Sequence, residues 1–216
     1  YTYHSDDDLL TLSYTPPSPI NIFFDDQVIK HYNIIFNLLI KMKRSFILIR
    51  DINLDKKIKE LFILSNNNEC TYMKVIKVLI EYRMFMLDFA YEFEFFVFHF
   101  VIDVFVNRFN NMVSKFDSID KFINMHYRFI RDLIMYLGIN DNKYMKKVYK
   151  VMNMIVVFPS LVNRLMCINR DNHEEMQYFL MEVDNSMEKF IKKKNKLINL
   201  INIIKTEVYL KTKRKL

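Results

Sequence analysis

The chain has 216 residues, and 51% of them are hydrophobic, which excludes disorder for most of its length and is ample for a buried core. One glycine and four prolines exclude glycine-rich phosphate loops and favour long helices over strands joined by tight turns. The net charge is +7, and residues 192–216 hold nine Lys and Arg residues but one acid, Glu207. Such a basic segment suits an acidic partner: nucleic acid, anionic lipid or an acidic protein.

The first predicted element is an extended lead-in over residues 1–24, because three prolines lie in the segment TPPSP and proline biases its predecessor toward extended backbone. The opening YTYHSDDDLL has no basic region followed by an apolar one, so no signal peptide is predicted. Asp25 or Asp26 is then predicted to cap a helix with apolar residues at helical spacing. Lys43 and Arg44 lie late in that helix, where cations suit its dipole.

A polar break at 51–70, with a short apolar patch ELFIL, is predicted before one long helix over 71–113. The phenylalanines that form its apolar stripe are Phe85, Phe89, Phe93, Phe96 and Phe100. The segment YEFEF at 91–95 also alternates with period two and would suit a strand, but the length of the run favours a helix. Charged residues interrupt its apolar stretch at 84–109, so no membrane span is predicted.

Ser118 is predicted to cap the next helix, and Gly138 falls directly after it, where a left-handed residue is favoured. Asp141 is predicted to start another helix that stops near Pro159, because proline breaks the helical hydrogen-bond ladder. The predicted fold is therefore all-α: a helical bundle of long helices behind an extended, proline-containing N-terminal lead-in.

The last helix has two predicted starts, a capping box of Asp171 with Glu174 or one of Asn172 with Glu175. We expect this helix to end near residue 206. Residues 206–216 then form an accessory basic tail, whose removal should leave the fold intact because charged termini bury little surface.

Catalytic and metal chemistry find no support in the sequence. The two cysteines are far apart, the five histidines are scattered, and neither HExxH nor CxxC is present. His99 and Asp103 lie one helical turn apart, which favours a hydrogen-bonded pair over a metal site. No enzyme activity, cofactor, metal or small-molecule substrate is predicted.

Composition and spacing alone indicate an all-helical interaction domain. A nucleic-acid-binding protein, or a peripheral membrane module using the basic tail on anionic lipid, remain alternatives.

Three blocks, in order, resemble the C-terminal domain of gamma-tubulin complex proteins. The block at 12–44 matches that family's opening at Leu12, Tyr14, Pro19, Ile20, Ile22, Phe24, Tyr32, Phe36, Leu39, Lys43 and Arg44. The block at 86–103 is similar to its long helix at Met86, Leu87, Phe89, Phe95, Phe96, Val101 and Asp103. The block at 119–130 matches at Ile119, Asp120, His126, Phe129 and Ile130.

The resemblance implies a non-catalytic helical domain at 25–216 that binds gamma-tubulin within a complex that templates microtubules. It implies gamma-tubulin and other gamma-tubulin complex proteins as partners, and it does not favour nucleic acid as a partner. The location implied is the cytoplasm and cytoskeleton, at a microtubule organizing centre or spindle pole. In that family the lateral contacts come chiefly from a second, N-terminal domain. Polar residues at the matched blocks are the candidate partner contacts: Lys43, Arg44, Asp103, His126 and Arg128. His126 is alternatively a satisfied core histidine.

Overall fold

The computed structural model describes residues 10–52, 71–113, 117–169 and 172–213, and all regular structure in these ranges is helical. The elements are a 3-10 helix (Ile20–Phe23), α1 (Asp26–Arg50), α2 (Thr71–Phe95), a π-helix (Phe96–Ile102), α3 (Asp103–Val113), α4 (Ile119–Tyr136), α5 (Asn142–Cys167) and α6 (His173–Lys213). The predicted all-α class is confirmed. The segment YEFEF lies inside α2, so the strand alternative is wrong. The ELFIL patch lies outside the described residues.

The residues divide into two compact units. The first unit draws on Tyr1–Lys43, Phe93–Lys146 and Leu200–Leu216, and the second on Arg44–Glu92 and Lys147–Asn199. Each unit has its own buried apolar residues. In the second unit, the Tyr82 ring packs edge-on against Phe158 at 5.3 Å and Phe190 at 5.6 Å between centroids. Aromatic pairs in this geometry stabilise a core beyond the area they bury.

Local capping chemistry starts the helices where the sequence predicted. Four side chains accept a hydrogen bond from a first-turn N–H: Asp25 from Val28 at 2.8 Å, Ser118 from Lys121 at 3.3 Å, Asp141 from Tyr144 at 3.1 Å and Asn172 from Glu175 at 3.2 Å. A short polar side chain at this position satisfies a backbone donor that has no partner within the helix. The predicted start at Asn172 with Glu175 is therefore confirmed, whereas Asp171 of the other predicted start lies outside the described residues.

Gly138 ends α4 as predicted, with φ at +71°. Its N–H donates to the carbonyl of Met135 and the N–H of Ile139 donates to that of Ile134, both at 3.0 Å. This is the paired hydrogen bonding of a Schellman motif, which needs a left-handed residue that glycine adopts without steric cost. A Cβ atom at this position would lie 2.4 Å from Cδ1 of Tyr144. Space as well as backbone conformation thus favours glycine.

The long helix predicted over 71–113 is confirmed as one unbroken helical run, but its middle is wound as a π-helix. Phe89, Phe93 and Phe96 are buried as expected. Phe100 is half-buried, and Val101 is fully buried in its place. The wider i→i+5 turn of a π-helix changes the angular step, so the 3.6-residue spacing used to draw the apolar stripe fails there.

Pro159 does not stop α5, contrary to the prediction; the helix continues to Cys167. The buried apolar face continues on both sides of the proline: Ile155, Phe158, Val162 and Leu165. A proline inside a helix costs about 3 kcal/mol. Burying several large apolar side chains contributes about 1.5–3 kcal/mol each, so packing outweighs the local rule.

The last helix also runs further than predicted, ending at Lys213 instead of near 206. Val208 is only 2% exposed, and the Nζ atom of Lys211 lies 3.0 Å from a carboxylate oxygen of Asp132. The same ammonium group lies 4.8 Å from the ring centroid of Tyr136. Val208 and Lys211 are therefore part of the packing of the first unit, which does not support the expectation of an accessory tail from residue 206 onward.

One described helix, α5, is long and apolar enough to cross a membrane by length and composition. This is a different segment from the 84–109 stretch that the sequence brought forward. Buried core helices pass the same test, and 33% of the apolar window in α5 is buried inside the protein. The finding is weak evidence for a membrane span.

Candidate partner-binding surface of the first unit

The structure places four of the five candidate residues in the first unit and Arg44 in the second. Lys43, Asp103 and Arg128 are exposed within the first unit, whereas His126 is only 5% exposed. Arg44 is exposed as well. Four of the five are therefore available to a partner, and His126 has the burial expected of a core residue.

Lys43 forms an ion pair with Glu94, and its Nζ atom lies 5.1 Å from the ring centroid of Phe98. Its side chain remains 48% exposed. Exposed ion pairs typically contribute about 0–1 kcal/mol to stability. The fold thus loses little if Lys43 exchanges Glu94 for a partner's carboxylate.

Asp103 accepts a hydrogen bond from Nδ1 of His99 at 2.8 Å, with both side chains more than half exposed. This is the one-turn pair that the sequence favoured over a metal site. The ring of Phe95 lies beside His99, with centroids 4.8 Å apart, and Phe95 itself is 52% exposed. Aromatic and charged groups therefore share one exposed stretch of chain.

His126 is held inside the first unit by hydrogen bonds. Its Nε2 atom lies 2.9 Å from the hydroxyl of Tyr32. Burial lowers the pKa of His126, while a hydrogen bond to the backbone of Phe23 and the charge of Asp25 oppose that shift. The net shift favours the neutral imidazole, whose Nε2 can accept the Tyr32 proton. This confirms the interpretation of His126 as a satisfied, buried histidine.

The aromatic pocket beside His126 is open and has a volume of about 680 Å³. Its apolar wall comes from the 3-10 segment and from α3 and α4: Ile20, Phe23, Phe24, Phe109, Ile119 and Phe122. Phe23 packs edge-on against Phe122, with ring centroids 5.0 Å apart. The proline-led segment thus forms one side of a pocket and does not simply lead into α1.

Two contacts fix that proline-led segment. The backbone of Leu12 exchanges two hydrogen bonds with the side chain of Asn33, at 2.6 and 2.8 Å. The hydroxyl of Tyr127 donates to the carboxylate of Asp25, and this bond is the main reason that the pKa of Asp25 is lowered. Asp25 therefore caps α1 and at the same time joins α1 to α4.

Two further pockets of the first unit are lined by arginines, most of which were not predicted from the sequence. One pocket, of about 320 Å³, is lined by Arg108, Arg128 and Arg131 among others. The other, of about 370 Å³, is lined again by Arg128 and Arg131, together with His31. Only Arg128 was predicted, since it lies at a matched block. The i,i+3 spacing of Arg128 and Arg131 was the available signal, but Arg108 comes from a different helix.

No group of three or more His, Cys, Asp or Glu side chains in the described ranges is placed to hold a metal ion. The described site is instead a set of open aromatic and basic surfaces on the long helices of an all-α bundle. The sequence matches the family model described as gamma tubulin complex component C-terminal over residues 2–213, so the chain belongs to this family. The resemblance of the three sequence blocks is thereby confirmed. No individually curated protein matches the chain at a significant level.

Proposed function

We propose that this chain is a non-catalytic gamma-tubulin-binding domain, formed by residues 25–216, that positions gamma-tubulin for microtubule nucleation. The family match over residues 2–213 is the observation that carries the proposal, because it spans nearly all the helices of the fold. Other gamma-tubulin complex proteins are the further partners we propose. The corresponding location is cytoplasmic and cytoskeletal, at a microtubule organizing centre or spindle pole.

The exposed candidates of the first unit suit a protein interface. Protein-binding surfaces combine a desolvated aromatic centre with a polar rim, and arginine is enriched in them. The first unit offers exposed aromatic surface at Phe95 and charged groups at Lys43, Asp103 and Arg128. His126 is buried, so its proposed part is to support the wall of the aromatic pocket and not to contact the partner.

Co-purification with gamma-tubulin tests this proposal. Reversing two exposed charges of the first unit, in the variant Lys43→Glu/Arg128→Glu, should weaken capture at least about tenfold, because like charges across an interface repel. The matched control is Lys74→Glu/Lys77→Glu, which makes the same charge change at exposed positions of α2 in the second unit. Equal capture by both variants would place the contact elsewhere. A well-folded chain that captures no gamma-tubulin would overturn the function.

Binding and nucleation should separate in this chain. A nucleus must hold several gamma-tubulins side by side at a fixed spacing, and linked sites gain effective concentration only when geometry lets them engage together. A single helical domain supplies one such site. We therefore propose that these 216 residues bind gamma-tubulin one to one and do not seed microtubules alone. Robust seeding by the monomeric chain in an assembly assay would contradict this.

No observation favours the nucleic-acid alternative, and three of the described cations of the C-terminal segment have partners inside the fold. Lys194 is buried and forms an ion pair with Asp88. Lys205 lies with its Nζ atom 5.2 Å from the ring centroid of Phe100, and Lys211 pairs with Asp132. Nucleic-acid binding relies on cations that are free to neutralise phosphates. To bind phosphates, these lysines would have to give up their contacts with Asp88, Phe100 and Asp132.

A further inference from the structure

Three arginines line one pocket formed mainly by α3 and α4, and two of them also line a second pocket beside α4. Arg108 projects from α3, and Arg128 and Arg131 lie three residues apart on α4, a spacing that puts them on one helix face. Arg128 and Arg131 line both pockets, so the two cavities meet at these side chains. All three arginine side chains therefore border one depression in the first unit, the pocket of about 320 Å³.

These arginines have no acidic partner among the residues that the structure describes. The carboxylate in the lining is that of Asp132, and Lys211 already pairs with it at 3.0 Å. The Nη1 atom of Arg108 is buried and makes no hydrogen bond to any described residue. A buried donor without an acceptor is costly, and like charges held together repel. An anionic ligand would relieve both costs.

The remaining lining identifies the kind of anion. Five apolar side chains form the floor of the smaller pocket: Phe105, Phe109, Met112, Met125 and Phe129. The rings of Phe109 and Phe129 lie 4.8 Å apart at their centroids. Thioether and aromatic surfaces accept varied apolar side chains, whereas a bare phosphate gains nothing from them. The arginines are also spread over two helices, and two of them line a second cavity as well as the first. Carboxylates along an extended chain fit that spread.

We propose that this depression, the arginine groove of Arg108, Arg128 and Arg131, binds an acidic segment of a partner protein that carries an aromatic or large apolar side chain. Its carboxylates pair with the guanidinium groups, whose planar forks suit bidentate pairing. Its apolar side chain occupies the floor between Phe109 and Phe129. The inference does not require the partner to be gamma-tubulin.

The probe is a fluorescein-labelled peptide of repeated Glu-Glu-Phe units, titrated with the 216-residue chain and followed by fluorescence anisotropy. The variant Arg108→Gln/Arg128→Gln/Arg131→Gln should raise the dissociation constant at least about tenfold, because each loses a charge-assisted hydrogen bond. Glutamine keeps part of the aliphatic stem, which preserves packing. The matched control, Lys74→Gln/Lys77→Gln/Lys150→Gln, removes the same charge from exposed positions of the second unit and should change the constant by less than about twofold, because these side chains do not line the groove.

Peptide chemistry separates the two parts of the groove. Repeats of Glu-Glu-Ser should bind several-fold more weakly, because they leave the apolar floor uncovered, and repeats of Lys-Lys-Phe should not bind. Equal loss in the arginine variant and its control would show a net-charge effect and overturn the groove. Displacement of the peptide by inorganic phosphate at similar concentration would overturn the acidic segment in favour of a phosphate ligand. Binding to RNA or anionic vesicles that depends on the arginines and is tighter than binding to the Glu-Glu-Phe peptide would also overturn the acidic segment.

A folding control keeps the test decisive. If the triple variant loses its circular dichroism signal, the single variant Arg131→Gln replaces it, since this side chain is exposed. It should weaken the Glu-Glu-Phe peptide by about threefold, the effect of one exposed charge pair. Unchanged binding would overturn the groove. Peptide binding by a chain that does not bind gamma-tubulin would sustain this inference and overturn the proposed function, so the two failures are distinguishable.

Discussion

Replacing Gly138 by alanine should destabilise the first unit by about 2–5 kcal/mol. Two physical costs add. A residue with a Cβ atom pays roughly 1–2 kcal/mol to adopt the left-handed conformation that φ of +71° requires. The new Cβ atom would also lie 2.4 Å from Cδ1 of Tyr144, whose side chain is 3% exposed and cannot swing into solvent freely. Overpacking a filled core costs typically about 1–3 kcal/mol.

Equilibrium urea unfolding, followed by circular dichroism, measures the total destabilisation caused by Gly138→Ala. Two further variants separate the backbone cost from the steric cost. Gly138→Asn places the same Cβ atom but tolerates the left-handed conformation better, so it should retain the clash and lose part of the backbone cost. In a Tyr144→Leu background, Gly138→Ala should cost only about 1–2 kcal/mol, since the ring that it meets is gone. A change below about 0.5 kcal/mol for Gly138→Ala in the natural background would refute both the cap geometry and the contact.

Phe96→Ala should destabilise by about 3–5 kcal/mol in the same assay, because the ring is fully buried; a loss below about 1 kcal/mol would place it at the surface. Removing residues 206–216 should lower the unfolding midpoint, because the buried side chain of Val208 and the Lys211–Asp132 pair are lost; an unchanged midpoint would restore the accessory tail. Burial lowers the pKa of His126 below its usual 6.5, so the unfolded chain takes up the proton first and stability should fall as pH drops below that value. In the variant His126→Gln, the free energy of unfolding should depend less on pH between about pH 7 and 5. An equal dependence in both proteins would show that another group causes it.

Features set by a few neighbouring residues were predictable from the sequence. Asp25, Ser118, Asp141 and Asn172 each satisfy a backbone donor within three residues of themselves, so their capping role needs no tertiary information. Gly138 ends α4 for a similarly local reason. The three matched blocks fall on α1, on the α2–π–α3 run and on α4, so family membership was also visible before the fold.

Features set by packing were not predictable in the same way. Pro159 breaks a helix by its own chemistry, and it is tolerated because Phe158 and Val162 on either side are buried by distant residues. The π-helix changes the spacing that a constant helical period assumes. The arginine groove combines Arg108 from α3 with Arg131 from α4, and the spacing of these residues along the chain does not predict that they lie close together. The division into two units likewise falls inside long helices, where composition does not change.

Sedimentation velocity of the purified 216-residue chain, labelled and titrated with purified gamma-tubulin, tests the central claim most directly. The account predicts a single faster boundary that saturates at one chain per gamma-tubulin. The variant Lys43→Glu/Arg128→Glu should shift this saturation to higher gamma-tubulin concentration, and Lys74→Glu/Lys77→Glu should not. A folded chain that sediments at its own rate at every gamma-tubulin concentration would contradict the account.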